Sequence, residues 1–423
     1  MIKRDILQEL ENHLNKKEIS FIVGPRQAGK TTIMRILEDK LKKDGKKTLF
    51  LNLDIEDDNQ YFESQKLLLR KIELEIGKEG FVFIDEIQRK EDAGVFLKGI
   101  YDMNLPYKFI VSGSGSVELK EKTYESLVGR KRLFELRTLS FTEFLNYRTN
   151  YKYEENLNAY INLSENKLLL FLKEYMIYGG YPKIVLNLEN IEKRKEIAEI
   201  YRSYIEKDIL LLLNIRNREQ LDILIKIIAS QIGRITKLSE LSNVAGISLQ
   251  SVKNYLWYFE KTFILRRVNP FFTNKKKEIT KAPVYYFTDT GLRNYLINMY
   301  NENFFNPNEF GYLFENFIYL LLLDITKDTN ININFWRTKD KSEVDFVLNT
   351  GKKLIPIEVK YNMGKNLKTG NSLVNFIKRY HPETAYLVTP NKQENLSVSG
   401  TEVKIIPFHQ LFSEDIFDFT IHQ

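Results

Sequence analysis

The stretch Ser20–Thr32, SFIVGPRQAGKTT, constrains this chain more than any other. Phe21, Ile22 and Val23 read as a buried strand running into a loop. The loop holds Gly24, then Pro25, Arg26, Gln27 and Ala28, then Gly29, Lys30, Thr31 and Thr32, the full phosphate-loop spacing. Glycines at the two ends let the backbone curl until successive N–H groups point at a polyphosphate. Lys30 is placed for the β- and γ-phosphates and the Thr31 hydroxyl for Mg²⁺. A helix from about Gly29 to Lys43 sets the positive end of its dipole behind them. ATP and Mg²⁺ are the expected cofactors.

The next elements supply the other half of such a site. Lys47–Asp54 reads as a second strand and Gln60–Ile76 as a charged helix. Then Phe81–Gln88, FVFIDEIQ, ends a buried strand in Asp85 and Glu86, about sixty residues after the loop opens. Asp85 is expected in the Mg²⁺ shell, and Glu86 as the group that polarises an attacking water. A further strand, YKFIVSGSGS, ends in Ser112, Ser114 and Ser116, with a helix running on to Leu127. Gly129-Arg130-Lys131-Arg132 then leads into a fifth strand, RLFELR. Strands and helices alternating in this way predict a parallel sheet covered on both faces.

GPRQAGKTT, FIDEIQ, SGSGS, VGR and LSFTEF, in that order, resemble the prokaryotic AAA+-type P-loop ATPases fused to a C-terminal domain of unknown function. YGGYPKIVL and YIEKDILLLL fit the same family, so the resemblance covers essentially the whole chain. It implies the strand order 5-1-4-3-2. It also implies a hydroxyl near the γ-phosphate at the end of the fourth strand, for which Ser114 is the choice, and an arginine finger, for which Arg130 is the choice. A Ser/Gly turn capping the next helix is the alternative for the serines, and an ordinary surface position for Arg130. A finger acting in trans would need a homo-oligomer.

At 423 residues, with 43% apolar and 28% charged residues, the chain has room for two to four domains. It contains no cysteine, which excludes disulfides and thiolate zinc sites, and only four histidines, so oxygen-ligated metals are expected. The start, MIKRDILQELENHL, reads as an amphipathic helix rather than a signal peptide, and charges interrupt the most apolar run. A cytoplasmic protein with no membrane contact is expected. The intervals read from the pattern are 1–150 for the AAA+-type ATPase, 151–217 for a helical lid or connector, 218–300 for a winged helix-turn-helix and 301–423 for a PD-(D/E)xK nuclease-like domain. The fold class is α/β throughout: a P-loop parallel sheet, a winged helix and a restriction-endonuclease-like α/β domain. Gly179-Gly180-Tyr181-Pro182 is a helix break within the connector.

The net charge is +7, and the window Arg216–Thr290 alone carries 13 Lys/Arg against 6 Asp/Glu. Its pattern is three helices followed by two strands, FILRRVNPF and VYYFTDT, around a basic loop Asn274–Lys281. Ser248 is placed to cap the third helix. In a DNA-binding winged helix that helix would present Gln250, Ser251, Lys253 and Asn254 to the major groove, while Lys275, Lys276 and Lys277 follow phosphates. A protein–protein module is the other reading.

The last segment runs helix (FGYLFENFIYLLLLDI), three strands, helix (Asn371–Tyr380) and strand (TAYLVT), the order of the PD-(D/E)xK core. Asp345 falls on the second strand, Glu358 and Lys360 on the third, and Glu315 on the helix. Alternation puts Glu358 and Lys360 on one face. Asp345 and Glu358 can hold Mg²⁺ while Lys360 serves the attacking water and the phosphate. The sequence thus predicts an ATP-hydrolysing protein that binds and processes DNA. The alternative is a nucleotide-dependent switch whose winged-helix and inert nuclease-like domains bind partners.

Overall fold

A computed structural model describes residues 2–114, 127–204, 218–300, 307–362, 369–412 and 416–417. They fall into two compact units, Met1–Leu139 with Tyr181–Arg216 and Trp257–Ile264, and Ser140–Gly180 with Asn217–Leu256 and Leu265–Gln423.

The first unit is built on five parallel strands: β1 (Ile19–Gly24), β2 (Thr48–Asn52), β3 (Gly80–Asp85), β4 (Tyr107–Ser114) and β5 (Lys131–Glu135). Their order is β2-β3-β4-β1-β5, the order the resemblance implied. Side chains alternate across the central strands, and both faces are apolar. Phe21, Val23, Val82, Ile84 and Val111 enter one core with the helices Gln65–Ile76 and Ala93–Asp102. Ile22, Phe83 and Ile110 enter the other, under the helix Lys30–Lys43 and the N-terminal helix Ile6–Asn12. The expected helix 60–76 is divided, because Ser64 accepts a hydrogen bond from Leu67 N and starts a new helix after Phe62 has been buried. In register, Gly24 lies beside Ser114, Ile84 beside Val111 and Asn52 beside Asp85, which aligns the strand ends at one edge.

The second unit contains one sheet of eight strands. These are β6 (Leu265–Pro270), β7 (Val284–Phe287), β8 (Asn332–Arg337), β9 (Glu343–Asn349), β10 (Leu354–Val359), β11 (Thr384–Thr389), β12 (Glu394–Val398) and β13 (Thr401–Pro407). Their order is β12-β13-β11-β10-β9-β8-β6-β7. Helices Arg218–Ser230, Leu238–Ala245 and Leu249–Lys261 precede the antiparallel pair β6–β7, so three helices and a hairpin follow in the expected sequence. The hairpin does not stand alone. β6 pairs with β8 in parallel at Asn269↔Asn334 and Pro270↔Phe335, which makes it part of the C-terminal sheet. Pro270, without an N–H, sits at the end of β6 where the ladder stops.

The expected basic loop is also different. Lys275–Thr280 is a short helix, because the Asn274 side chain accepts from both Lys276 N and Lys277 N. Further on, the helix Pro307–Ile325, three antiparallel strands β8–β10, the helix Asn371–Tyr380 and the parallel strand β11 appear in the order read from the sequence. Asn316, fully buried on that first helix, holds β7 with paired hydrogen bonds to the Phe287 N–H and carbonyl, 2.9 and 2.8 Å. Among the described residues no helix is long and apolar enough to cross a membrane.

Candidate functional site

The two glycines of the phosphate loop are required for different reasons. A Cβ on Gly24 would stand 2.0 Å from the Leu136 carbonyl oxygen, because Leu136 N bonds to Val23 O and draws the chain after β5 against the loop. Gly29 has open space around it but a φ of +100°, which an L side chain resists. Lys30 starts the helix and folds back, its ammonium donating to the carbonyls of Gly24 at 3.0 Å and Pro25 at 2.8 Å. That brace shapes the loop and keeps a cation at its centre. Arg4 adds a second brace, donating to Ala28 O at 2.9 Å and to Arg137 O at 2.6 Å.

At the end of β3, Asp85 is fully buried. One carboxylate oxygen accepts from the Thr31 hydroxyl at 2.6 Å, and the other accepts from the Ser112 hydroxyl and from Glu86 N. A hydroxyl and a carboxylate are therefore side by side at the sheet edge, the hard oxygen donors that suit Mg²⁺. Glu86 has a left-handed backbone, φ +57°, and accepts from the Gln88 side chain. Burial raises its carboxyl above the ordinary range; Lys30 and Arg26 oppose that shift, while Asp85 and Asp54 add to it. A cavity of about 560 Å³ opens over the loop, lined by Arg26–Ile33 and Glu86 and, on its apolar side, by Ile2, Ile36, Pro182 and Leu186. Backbone donors, an ammonium and an apolar wall suit a nucleoside polyphosphate. Ser114 ends β4 beside Gly24, its side chain outside the described residues, as is Ser116 altogether.

Arg130 is at the other end of the sheet. It precedes β5, its carbonyl accepts from Ile19 N at the start of β1, and its guanidinium pairs with Asp102 at 2.7 Å. At about 3.3 Å per residue the length of β1 separates it from the loop by roughly 16 Å. Arg130 does not face the loop of its own chain.

In the second unit, Glu315, Asp345, Glu358 and Lys360 line one cavity of about 880 Å³. Each acid is already engaged. Glu315 accepts from the Tyr286 hydroxyl at 2.6 Å, Asp345 from Val359 N at 2.7 Å, and Glu358 pairs with Lys360 at 2.7 Å. The second Glu358 oxygen, on a residue only 4% exposed, has no hydrogen-bond partner. Burial pushes Glu315 up to about 8, with Glu343 and Glu358 adding to the shift. It also pushes Asp345 well above the carboxylate range, helped by Glu358 and Glu315. Among the described residues no group of three His, Asp or Glu is arranged to hold a metal ion, and the three acids are engaged instead by Tyr286, Val359 N and Lys360. Arg234, Lys237 and Arg337 face the same cavity.

The residues expected to meet DNA are exposed, apart from the half-buried Ser251. Gln250 and Asn254 hydrogen-bond to each other at 3.0 Å on the helix Leu249–Lys261, with Lys253 beside them, and Ser248 accepts from Ser251 N as the cap. Lys276 and Lys277 are solvent-facing, while Lys275 pairs with Glu278 at 3.1 Å.

Residues 16–145 match the family model of the AAA domain. This part of the chain is an AAA-type ATPase domain. Residues 170–303 and 310–411 match two domains of unknown function, DUF8612 and DUF4143. An uncharacterized protein of Methanocaldococcus jannaschii is 27% identical, over 95% of this chain and 90% of its own length. An uncharacterized protein of Mycobacterium tuberculosis is 23% identical, over 85% and 74%. Among solved structures, the Aeropyrum pernix ORC1 protein in complex with DNA aligns at 12% identity and a TM-score of 0.29, over 70% of this chain and 93% of that one. AMPPCP-bound DnaA from Aquifex aeolicus aligns at 16% and 0.27, over 61% and 86%.

Three residues of these sites escape sequence reading. Arg4 lies in what reads as an amphipathic helix, and nothing local links it to Ala28. Ser112 was one of three equivalent serines until β4 turned it toward Asp85. Gly233 has φ +72°, and a Cβ there would meet Glu315 at 2.7 Å; its only signal is a glycine shortly after an apolar helix.

Proposed function

We propose that this chain binds and hydrolyses ATP at the Gly24–Thr31 loop and engages DNA through its C-terminal unit. The observation that carries the ATPase reading is the Thr31–Asp85 hydrogen bond at the sheet edge, beside a loop braced by Lys30. Residues 24–32 would hold the triphosphate, with Thr31 and Asp85 on its Mg²⁺, which supplies charge neutralisation when bound. Glu86 orients and deprotonates water, and burial, by raising its carboxyl above the ordinary range, makes it the stronger base. An arginine finger at Arg130 would serve the loop of a second copy.

DNA engagement is supported by the cavity around Glu315, Asp345, Glu358 and Lys360, where Arg234, Lys237 and Arg337 bring cations to a cluster of acids. In the nuclease reading Asp345 and Glu358 hold Mg²⁺, the unpartnered Glu358 oxygen supplying a free ligand position, and Lys360 stabilises charge on the phosphate. A second reading, a domain that grips DNA or a protein without cutting, is favoured by the hydrogen bonds and ion pair that already engage the three acids. The experiment is ATP hydrolysis by the full chain with and without duplex, branched and single-stranded DNA, beside cleavage of the same DNAs in Mg²⁺, Mn²⁺ or Ca²⁺. Hydrolysis accelerated by DNA is expected. An unchanged rate together with no binding at low salt would leave only the partner-binding switch. Cleavage abolished in Asp345→Asn and Lys360→Ala would establish the nuclease; intact binding without cleavage would establish the grip.

A further inference from the structure

The parallel sheet of the first unit has a second edge, and it carries a charge distribution that neither phosphate loop nor C-terminal cavity accounts for. The segments that lead into β1, β2, β3 and β4 meet there around an open cavity of about 1000 Å³. Lys16, Lys17, Lys46, Lys47, Lys78 and Lys108 line it, against the single acid Glu79. Five of these lysines are exposed. The sixth, Lys108, forms the buried floor and is held by the Lys16 carbonyl at 2.8 Å, the Glu18 carbonyl and His13 Nδ1 at 3.1 Å. Because β2, β3, β4 and β1 are neighbours in that order, the four lysine-bearing segments form one continuous face.

We propose that this lysine-lined edge binds the phosphate backbone of nucleic acid, as a sequence-independent site opposite the nucleotide site. A pocket for one free phosphate needs converging, desolvated donors, and the buried amine that could supply them is already held by two carbonyls and an imidazole. Exposed lysines contributed by three separate segments, ahead of β1, β2 and β3, instead act as spaced, hydrated point charges, which suits a chain of phosphates rather than one anion. Adjacent aromatic surface reinforces the fit: Tyr107 lines the cavity, and Lys17 lies 4.6 Å over the Tyr101 ring. Binding here would leave the Gly24–Thr31 loop free, since the two lie at opposite ends of the same strands.

The test uses the full chain with Lys16→Glu, Lys46→Glu and Lys78→Glu combined, and a second variant with arginine at the same three positions. Binding of labelled single-stranded and duplex oligonucleotides is measured by anisotropy across a salt series, in the background of Lys276→Ala and Lys277→Ala so that the short basic helix does not contribute. The glutamate variant should bind at least about tenfold more weakly at low salt, with a duplex salt slope shallower by roughly 0.9 for each phosphate no longer neutralised. The arginine variant should bind like the parent, which also controls for folding, and ATP hydrolysis without DNA should be unchanged in both. Equal affinity and slope in parent and glutamate variant would overturn the proposal. So would parent binding to phosphatidylserine vesicles that the glutamate variant loses while its oligonucleotide binding is unchanged. Parent binding of oligonucleotide displaced by inorganic phosphate at its own ionic strength, more than by chloride at that strength, would overturn it in favour of a small-anion site.

Discussion

The phosphate loop and the C-terminal acid cavity both bring charged groups together, and they do so by opposite means. In the loop the cation is balanced by backbone: Lys30 donates to two carbonyls only five and six residues away, and Thr31 and Ser112 satisfy the one buried carboxylate. In the cavity, acids from a helix and two strands are buried together, and the partly exposed Lys360 is the cation that opposes their repulsion most directly. In the first arrangement Lys30, Thr31 and Asp85 all have partners before a ligand arrives. The second holds its acids above their ordinary pKa, so its stability should depend on protons and on cations.

The largest expected effect tests the satisfied site. Lys30→Ala deletes both the brace and a charge-assisted hydrogen bond to phosphate, worth about 1.5–3 kcal/mol. ATP affinity measured by calorimetry should therefore fall by roughly tenfold to a hundredfold. Glu86→Gln should keep that affinity and slow hydrolysis, and a parental rate in this variant would remove Glu86 from the role of base.

The next tests the strained site through pH. Glu315 has a folded pKa of about 8 against an ordinary 4.5, so between those values the native state binds more protons than the unfolded one. Stability of the second unit should then fall as pH rises from about 4.5 to about 8, with Asp345 and Glu358 acting in the same direction. The chain has two tryptophans, and with Trp257→Phe the fluorescence of Trp336 reports this unit alone. Glu315→Gln should flatten the pH dependence and raise the melting temperature at pH 8. A parent that melts higher at pH 8 than at pH 5 would contradict the buried-acid account.

Gly233→Ala should cost about 1–2 kcal/mol, combining a positive φ with a Cβ driven against Glu315. The same substitution in Glu315→Ala should cost less, because the clash is gone and only the backbone strain remains; equal costs in a double-mutant cycle would mean the clash is unimportant. The smallest effect is at Ser248→Ala, where removing the cap to Ser251 N should cost about 1 kcal/mol in denaturant melts and leave ATP hydrolysis unaltered.

What could be read in advance divides along the same line as the two sites. The spacing of Gly24, Gly29, Lys30 and Thr31 makes the loop legible because the Lys30 brace closes over five or six residues, whereas the contacts from Arg4 and Leu136 carry no local signal. Apolar runs with correct alternation likewise determined the helix Asn371–Tyr380 and strand β11 to the residue. The short helix Lys275–Thr280 went unread because its lysines suggested a solvated loop, whereas Asn274 caps its first turn.

Tertiary structure alone decided features that depend on pairing between distant segments. The union of the β6–β7 hairpin with β8 rests on two residue pairs across a separation of 65 positions, with no local pattern to announce it. Strand direction put Arg130 at the edge away from the loop, although it is close to that loop's strand in the sheet. The lysines at the same edge are scattered over some ninety residues of an evenly lysine-rich sequence. Only a parallel sheet, which brings the starts of all its strands to one side, gathers them into a single face.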